Sequence, residues 1–146
     1  MAGKRVGVIG TGSTAIQITS ALADVVEHLD VFQRTAQWVL AIPNPDFTFE
    51  ERSKYRTDSS GLKYLHDDWS RRATDLVSTA LIDADSPNMA PIGEQRRNNL
   101  ETVEDPELRE QLRPDYRAAC KRLIMSPEFY ENVQKPTISV VTSTID

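Results

Sequence analysis

A glycine-rich turn close to the N-terminus limits how this chain of 146 residues can fold. Residues 5–9 form a short apolar run with the length of a buried strand, and the turn follows at once. Residues 14–26 have a helix-compatible composition, and residues 29–33 form a second run that favours a β-strand. A strand, a helix and a strand within about thirty residues predict one βαβ unit with a right-handed crossover. The turn itself reads Gly10-Thr11-Gly12-Ser13-Thr14-Ala15.

This turn fits the pattern G-x-G-x-x-G/A, which between a strand and a helix binds the pyrophosphate of a dinucleotide. Gly10 permits the tight turn, Gly12 has no Cβ to obstruct a phosphate, and Ala15 is small enough for close packing of the helix on the strand. The start of the helix presents free amides and partial positive charge to the phosphates. We therefore predict the α/β class, a Rossmann-like dinucleotide-binding domain with a parallel sheet, in which all six turn residues are candidate ligands. The alternative is a glycine turn that binds nothing.

The residue at the end of the second predicted strand indicates which coenzyme is preferred. Asp30 lies twenty residues after Gly10, where NAD enzymes carry an acid for the ribose, but it precedes the β-rich run 31–33. Arg34 follows that run, and its guanidinium can hold a 2′-phosphate through charge-assisted hydrogen bonds, to which the Thr35 hydroxyl can add a donor. The sequence therefore predicts NADPH over NADH. The alternative is a solvated surface arginine.

The apolar residues in the middle of the chain have a different spacing, which predicts a helical insertion. Apolar residues recur at spacings of three and four over residues 62–80, as in a long amphipathic helix. The predicted apolar face consists of Leu62, Leu65, Trp69, Ala73, Leu76 and Ala80. Asp105 and Pro106 predict the start of a short helix that ends near Leu112, whereas the prolines and the glycine within 86–97 predict a loop. We expect Trp69, like Trp38, to pack in the core between the insertion and the nucleotide-binding domain; the alternative is that they line a substrate channel.

The last segment is predicted to return to the sheet. Ser126 and Pro127 are suited to start a short helix that runs to about Gln134, and the β-branched run 138–142 is suited to a buried strand. The predicted organisation is therefore a first part of the Rossmann domain over 1–45, a helical insertion over 46–115, and a return to the Rossmann domain over 116–146. The acidic excess behind the net charge of −5 lies in the middle segment.

Several segments at both ends of the chain share motifs with one enzyme family. Near the N-terminus they are Lys4-Arg5-Val6-Gly7-Val8-Ile9-Gly10-Thr11-Gly12-Ser13-Thr14-Ala15-Ile16-Gln17 and Val31-Phe32-Gln33-Arg34-Thr35. Towards the C-terminus they are Leu112-Arg113-Pro114-Asp115-Tyr116, Cys120-Lys121-Arg122-Leu123-Ile124, Phe129-Tyr130 and Gln134-Lys135-Pro136. Together they resemble the NADPH-binding dinucleotide fold of Baeyer–Villiger-type flavin-containing monooxygenases. The helices predicted in the middle of the chain resemble that family only in their general character and not in any motif.

The resemblance implies a function and several site residues. The family uses NADPH, FAD and O₂ to insert one oxygen beside the carbonyl of a ketone, which yields an ester or a lactone. It implies that Arg34, Thr35 and Lys121 bind the 2′-phosphate of NADPH, that Gln17 belongs to the cofactor-binding segment, and that Arg122 is the catalytic arginine beside the flavin. A fixed guanidinium suits a developing anion because it stays charged at working pH.

The resemblance also implies that the chain is a fragment. The family's FAD-binding domain is expected before this segment and is missing from the chain, so the fragment alone should be inactive. The alternatives are a stand-alone or degenerate NADP-binding module, and the NADPH domain of a related N- or S-oxygenating flavoprotein. A small NADP-dependent dehydrogenase is less consistent with the sequence because no Tyr-x-x-x-Lys pair provides its acid and base.

Composition excludes several other classes of protein. The acidic balance offers no basic face for nucleic acid, and no apolar stretch approaches the ~20 residues of an integral membrane helix. A single cysteine, Cys120, excludes an intramolecular disulfide, and it lies too far in sequence from His28 and His66 to suggest a metal site. From composition we therefore expect a cytoplasmic protein. The family resemblance implies that its partners are a small-molecule ketone or a related organic substrate and O₂.

Overall fold

The computed structural model describes residues 1–83, 85–118 and 120–145, which form five strands and six helices. The strands are β1 (Arg5–Ile9), β2 (His28–Phe32), β3 (Val39–Leu40), β4 (Ile124–Met125) and β5 (Ile138–Val141). The helices are α1 (Ser13–Leu22), α2 (Phe49–Thr57), α3 (Ser60–Ile82), α4 (Met89–Leu100), α5 (Pro106–Gln111) and α6 (Phe129–Asn132).

A three-stranded parallel sheet in the order β1-β2-β5 carries the N-terminal and C-terminal segments. Val8 of β1 is in register with Val31 of β2, which is in register with Val140 of β5, so these β-branched side chains share one face of the sheet. Val8, Val31, Leu29 and Ile138 are buried in the core, as expected for parallel strands. The predicted α/β class with a parallel sheet is confirmed. Strands β3 and β4 form a second, two-stranded parallel pair.

Most element boundaries agree with the sequence pattern to within a few residues. Helix α1 ends at Leu22 instead of near Val26, and the Val25 amide donates to the Leu22 carbonyl three residues back, as in a tighter turn than that of an α-helix. Helix α6 is confined to Phe129–Asn132, which is shorter than predicted. Helix α5 begins directly after Asp105, as predicted.

The predicted loop over 86–97 is wrong, since helix α4 occupies most of it. Pro91 lies in the first turn of the helix, where a missing N–H costs no intrahelical hydrogen bond. Gly93 lies within the helix, where a glycine costs about 1 kcal/mol relative to alanine. Burial of apolar side chains on one face of the helix outweighs this cost. The buried residues follow one another at spacings of three or four and are Met89, Ile92, Arg96 and Leu100.

The chain divides into two compact units. The first contains residues 1–42 and 92–146, and the second contains residues 43–91. Residues 92–115, which the sequence pattern assigned to the insertion, lie in the first unit because Leu100, Val103 and Leu112 are part of its hydrophobic core. The assignment of the segments to a nucleotide-binding domain and an insertion stays a prediction.

The second unit contains helices α2 and α3. Helix α2 starts with a capping box, in which the Thr48 side chain accepts from the Glu51 amide and the Glu51 side chain accepts from the Thr48 amide. The predicted long helix over 62–80 is confirmed as α3, but Leu62 and Trp69 on its predicted apolar face are exposed. The expected core packing is therefore wrong for Trp69 and correct for Trp38, which packs against the core of the first unit. The side chains of Leu76 and Ala80 lie outside the described residues.

The N-cap of α5 supports a prediction about stability. The Asp105 carboxylate accepts from the amides of Glu107 at 2.8 Å and Leu108 at 3.2 Å, and Pro106 occupies the first turn. We expect Asp105→Ala to lower the free energy of unfolding by about 0.5–2 kcal/mol in urea titrations, because both amides lose their acceptor. Asp105→Asn retains a capping oxygen and serves as the control. An equal loss in both variants would show that the cap contributes only through its charge.

Candidate functional site

A cleft of about 680 Å³ opens at the carboxyl ends of β1, β2 and β5. This is the edge of a parallel α/β sheet at which ligands characteristically bind. Four segments of the first unit form its walls: the glycine turn, the segment after β2, the segment after β5, and Lys121. The lining residues are Ile9, Gly10, Thr11, Gly12, Phe32, Gln33, Arg34, Thr35, Gln37, Lys121, Thr142, Ser143, Thr144 and Ile145.

The glycine turn is held against the segment that follows β2. Gly10 has φ +104°, a left-handed conformation that favours glycine, and its amide donates to the Phe32 carbonyl at 2.9 Å. The buried Thr11 hydroxyl donates to the Thr35 carbonyl at 2.7 Å. These two bonds fix the turn relative to the residues after β2, so both sides of the cleft are parts of one hydrogen-bonded frame.

Gly12 leaves open space at the start of α1. It is the N-cap residue, and a Cβ added to it would meet no other atom within 4 Å. The first amides of a helix have no intrahelical acceptor, and their dipoles add partial positive charge at this end. The open space next to these amides fits the close approach of a phosphate.

Two cationic side chains line the cleft in a chain whose net charge is −5. Arg34 and Lys121 are both exposed, and no carboxylate of the described residues lies within 4.0 Å of either charged group. The Lys121 ammonium lies 4.3 Å from the centroid of the Tyr116 ring, within the range of a cation–π contact. The two cations make the cleft suitable for a multiply charged anion.

A hydrogen-bonded bridge connects the two segments that carry the cations. The Tyr116 hydroxyl donates to Gln37 Oε1 at 2.8 Å, and the Trp38 indole N–H donates to the Tyr116 carbonyl at 2.8 Å. Tyr130 donates from its hydroxyl to the Gln37 carbonyl at 3.4 Å. Burial raises the pKa of both the Tyr116 and the Tyr130 phenol, which keeps them neutral at physiological pH.

Arg96 of α4 is a buried cation near this bridge. Its side chain is fully buried, and its three nitrogens have no hydrogen-bond acceptor among the described residues. Burial lowers the pKa of Arg96, yet a guanidinium remains protonated in proteins. It interacts electrostatically with Tyr116 and Tyr130. Because it is enclosed and does not line the cleft, it is no candidate ligand-binding residue.

The structure brings together some of the predicted site residues and leaves others apart. The cleft lining includes Gly10, Thr11, Gly12, Arg34, Thr35 and Lys121. The predicted residues that do not line it are Ser13, Thr14, Ala15, Gln17 and Arg122. Gln17 on α1 and Arg122 beside Lys121 are exposed. Gln33, Gln37 and the residues 142–145 line the cleft without having been predicted as site residues. Gln33 and the residues 142–145 come directly after β2 and β5, and this position was the available signal, whereas Gln37 lies five residues after β2 and had none.

Outside the cleft, His28, Asp30 and Ser139 form a small cluster of polar side chains. Asp30 does not line the cleft, and its carboxylate lies 3.1 Å from His28 Nε2, from which it accepts when that nitrogen carries the proton; Ser139 Oγ lies 3.4 Å from the same nitrogen. Because both partners meet one nitrogen, the three residues do not form a proton relay.

Within the described ranges, no group of three or more His, Cys, Asp or Glu side chains could hold a metal ion. Among the residues that the structure describes, no helix is both long and apolar enough to cross a membrane.

A parallel sheet with a glycine turn and a helix N-terminus at its carboxyl edge has the architecture of a Rossmann-like domain. Comparison with known proteins narrows the class further, because the chain is similar over nearly its whole length to a segment of Baeyer–Villiger monooxygenases. The predicted resemblance is thereby confirmed. No family model matches the chain.

Particular relatives cover almost the whole chain. It is 38% identical over 148 residues to an uncharacterized monooxygenase of Mycobacterium tuberculosis, covering 99% of this chain and 29% of the relative. It is 35% identical over 146 residues to a Baeyer–Villiger monooxygenase of Streptomyces coelicolor, covering 98% of this chain and 27% of the relative. The crystal structure of cyclohexanone monooxygenase from Rhodococcus sp. Phi1 bound to NADP⁺ is similar with a TM-score of 0.72 and 26% identity, over 96% of this chain and 32% of that one. The chain therefore spans less than a third of the length of these relatives.

Proposed function

We propose that this chain is the NADPH-binding part of an FAD-dependent monooxygenase that converts a ketone to an ester or a lactone. The observation that carries the proposal is the cleft, in which the glycine turn and both cations surround one space. The names of the relatives and the NADP⁺ in the similar crystal structure support the choice of coenzyme and of reaction. The activity of a complete enzyme of this kind, its ketone substrate and O₂ are part of the proposal.

Different residues would hold different parts of NADPH. The open space at Gly12 and the first amides of α1 would receive the pyrophosphate, because these donors have no acceptor within the helix. Arg34 would bind the 2′-phosphate in a forked geometry, while Lys121 would add a compact charge and Thr35 a hydroxyl donor. When bound, NADPH supplies a hydride and FAD supplies the group on which O₂ is activated.

The roles of Ser13, Thr14, Ala15 and Gln17 remain predictions that follow from the motif. Arg122 remains the candidate catalytic residue on the strength of the family resemblance. It is exposed, as a residue that meets a flavin held elsewhere in the enzyme would need to be. A cytoplasmic location is a prediction from the sequence alone.

Coenzyme titration of the purified chain tests the proposal. We expect isothermal titration calorimetry to show tighter binding of NADP⁺ than of NAD⁺. We also expect the chain to retain no yellow chromophore after incubation with FAD and gel filtration. Equal affinity for the two nucleotides would contradict the proposed site. Retained FAD would instead contradict the assignment of FAD to another part of the enzyme.

Gly12 provides a test of the pyrophosphate site that is separate from coenzyme choice. A Cβ at this position would meet no protein atom within 4 Å, and the branched side chain of valine would extend from it into the open space next to the helix amides. We expect Gly12→Val to weaken binding of NADP⁺ and NAD⁺ alike, by about tenfold or ~1.4 kcal/mol. Thermal denaturation serves as the control and should show a nearly unchanged midpoint. Unchanged affinity for both nucleotides would show that the pyrophosphate lies elsewhere.

A further inference from the structure

We propose that Tyr116 is a positioning residue that holds the Lys121 ammonium at the cleft and thereby increases selectivity for a dinucleotide with a 2′-phosphate. This inference rests on the proposed function, since it assigns part of the coenzyme selectivity to a residue that does not line the cleft. It starts from the contact between the Lys121 ammonium and the Tyr116 ring, whose centroid is 4.3 Å away.

Lys121 needs such a support because of its own chemistry. Its side chain is exposed, and a lysine carries large rotamer entropy that is lost when the ammonium is fixed on an anion. The face of an aromatic ring attracts the ammonium but leaves its N–H donors available on the other side. The ring can therefore hold the charge near its binding position without neutralising it, which a carboxylate partner would do.

The Tyr116 ring is itself fixed in place. Its hydroxyl donates to Gln37 at 2.8 Å, and its backbone carbonyl accepts the Trp38 indole N–H at 2.8 Å. Because burial raises the pKa of the phenol, it remains a neutral donor to Gln37. Gln37 lines the cleft and lies three positions after Arg34, so the bridge sets Lys121 relative to the segment that carries the other cation.

The test is a double-mutant cycle on the full chain, with NADP⁺ and NAD⁺ as probes in calorimetric titrations. We expect Tyr116→Leu to weaken NADP⁺ binding about two- to fivefold, the size of an exposed cation–π contact, and to leave NAD⁺ binding unchanged. Tyr116→Phe retains the ring and should keep most of the NADP⁺ affinity. In a Lys121→Ala background, Tyr116→Leu should have no further effect on NADP⁺ binding.

Two patterns would overturn the inference while leaving the proposed function intact. In the first pattern, the unsubstituted chain prefers NADP⁺ and Lys121→Ala reduces that preference, but Tyr116→Leu does not reduce it. In the other, Tyr116→Leu weakens both nucleotides equally, which indicates a structural role only. If the unsubstituted chain does not prefer NADP⁺, the proposed function fails and this inference fails with it.

A measurement on the unsubstituted fold covers the case in which Tyr116→Leu does not fold. In proton NMR spectra, the ring current of Tyr116 should shift the ε-methylene protons of Lys121 upfield of those of the other lysines, and Lys121→Arg identifies the signal. Coincidence of the Lys121 signal with the others would show that the ring does not hold the ammonium, which overturns the inference.

Discussion

Replacing Arg34 with alanine is expected to weaken NADP⁺ binding about ten- to a hundredfold, or ~1.4–2.8 kcal/mol, and to change NAD⁺ binding little. The reason is that the 2′-phosphate is the only group that distinguishes the two nucleotides, and a guanidinium meets such a dianion with paired, charge-assisted hydrogen bonds. Arg34 lines the cleft, and no carboxylate of the described residues competes for it within 4.0 Å. Calorimetric titration with both nucleotides measures the change in their affinity ratio.

Two matched variants separate geometry from charge in this experiment. Arg34→Lys keeps the charge but loses the planar fork, so its NADP⁺ affinity should fall between those of the unsubstituted chain and Arg34→Ala. Arg5→Ala removes the same charge at the start of β1, the end of the strand opposite to the cleft, and should leave the ratio unchanged. An unchanged ratio in Arg34→Ala would mean that Arg34 is only a solvated surface residue. Added salt should weaken NADP⁺ binding more than NAD⁺ binding.

The largest effect on stability is expected for Leu100→Ala in the core of the first unit. Leu100 ends helix α4, is fully buried, and belongs to the same core cluster as Val39 and Val103. We expect a loss of about 2–5 kcal/mol in the free energy of unfolding, measured by urea titration, because apolar burial is lost and a cavity remains. Alanine is a better helix former than leucine, so the loss reports packing and not helix propensity.

Leu62→Ala is the matched control for this substitution. Leu62 lies in helix α3 and is 43% exposed, so the same change there should cost less than about 1 kcal/mol. Equal losses at the two positions would contradict the role of α4 in the core. This comparison also tests the part of the fold that the local sequence pattern predicted least well.

Local signals predicted those elements whose structure depends on nearby residues. Strand β1, the turn and the start of α1 follow from apolar residues and glycines that are adjacent in sequence. Helix α5 follows from Asp105 and Pro106, because an N-cap carboxylate acts on amides only two and three residues away. Helix α3 follows from its apolar period, although Leu62 and Trp69 on that face are exposed in this chain.

Predictions failed where distant packing opposed a local signal. Proline and glycine in 86–97 indicate a loop, but burial of the apolar side chains of Ile92 and Leu100 stabilises helix α4. Packing of Leu100, Val103 and Leu112 also places residues 92–115 in the first unit, while their assignment to a helical insertion stays a prediction. The pairing of β3 with β4 also joins segments that are far apart in sequence, for which no local pattern exists.

The amino-acid sequence by itself determined the strand, glycine turn and helix at the N-terminus and placed a basic residue directly after the second strand, because these features depend on neighbours along the chain. No local pattern brings Lys121 to Arg34; the family resemblance implied that they share a site, and the tertiary structure shows that both line the same cleft. The contact that helps to bring their segments together, from Tyr116 to Gln37, joins residues 79 positions apart in sequence. Its formation depends on the packing of the whole first unit, which no short-range pattern encodes.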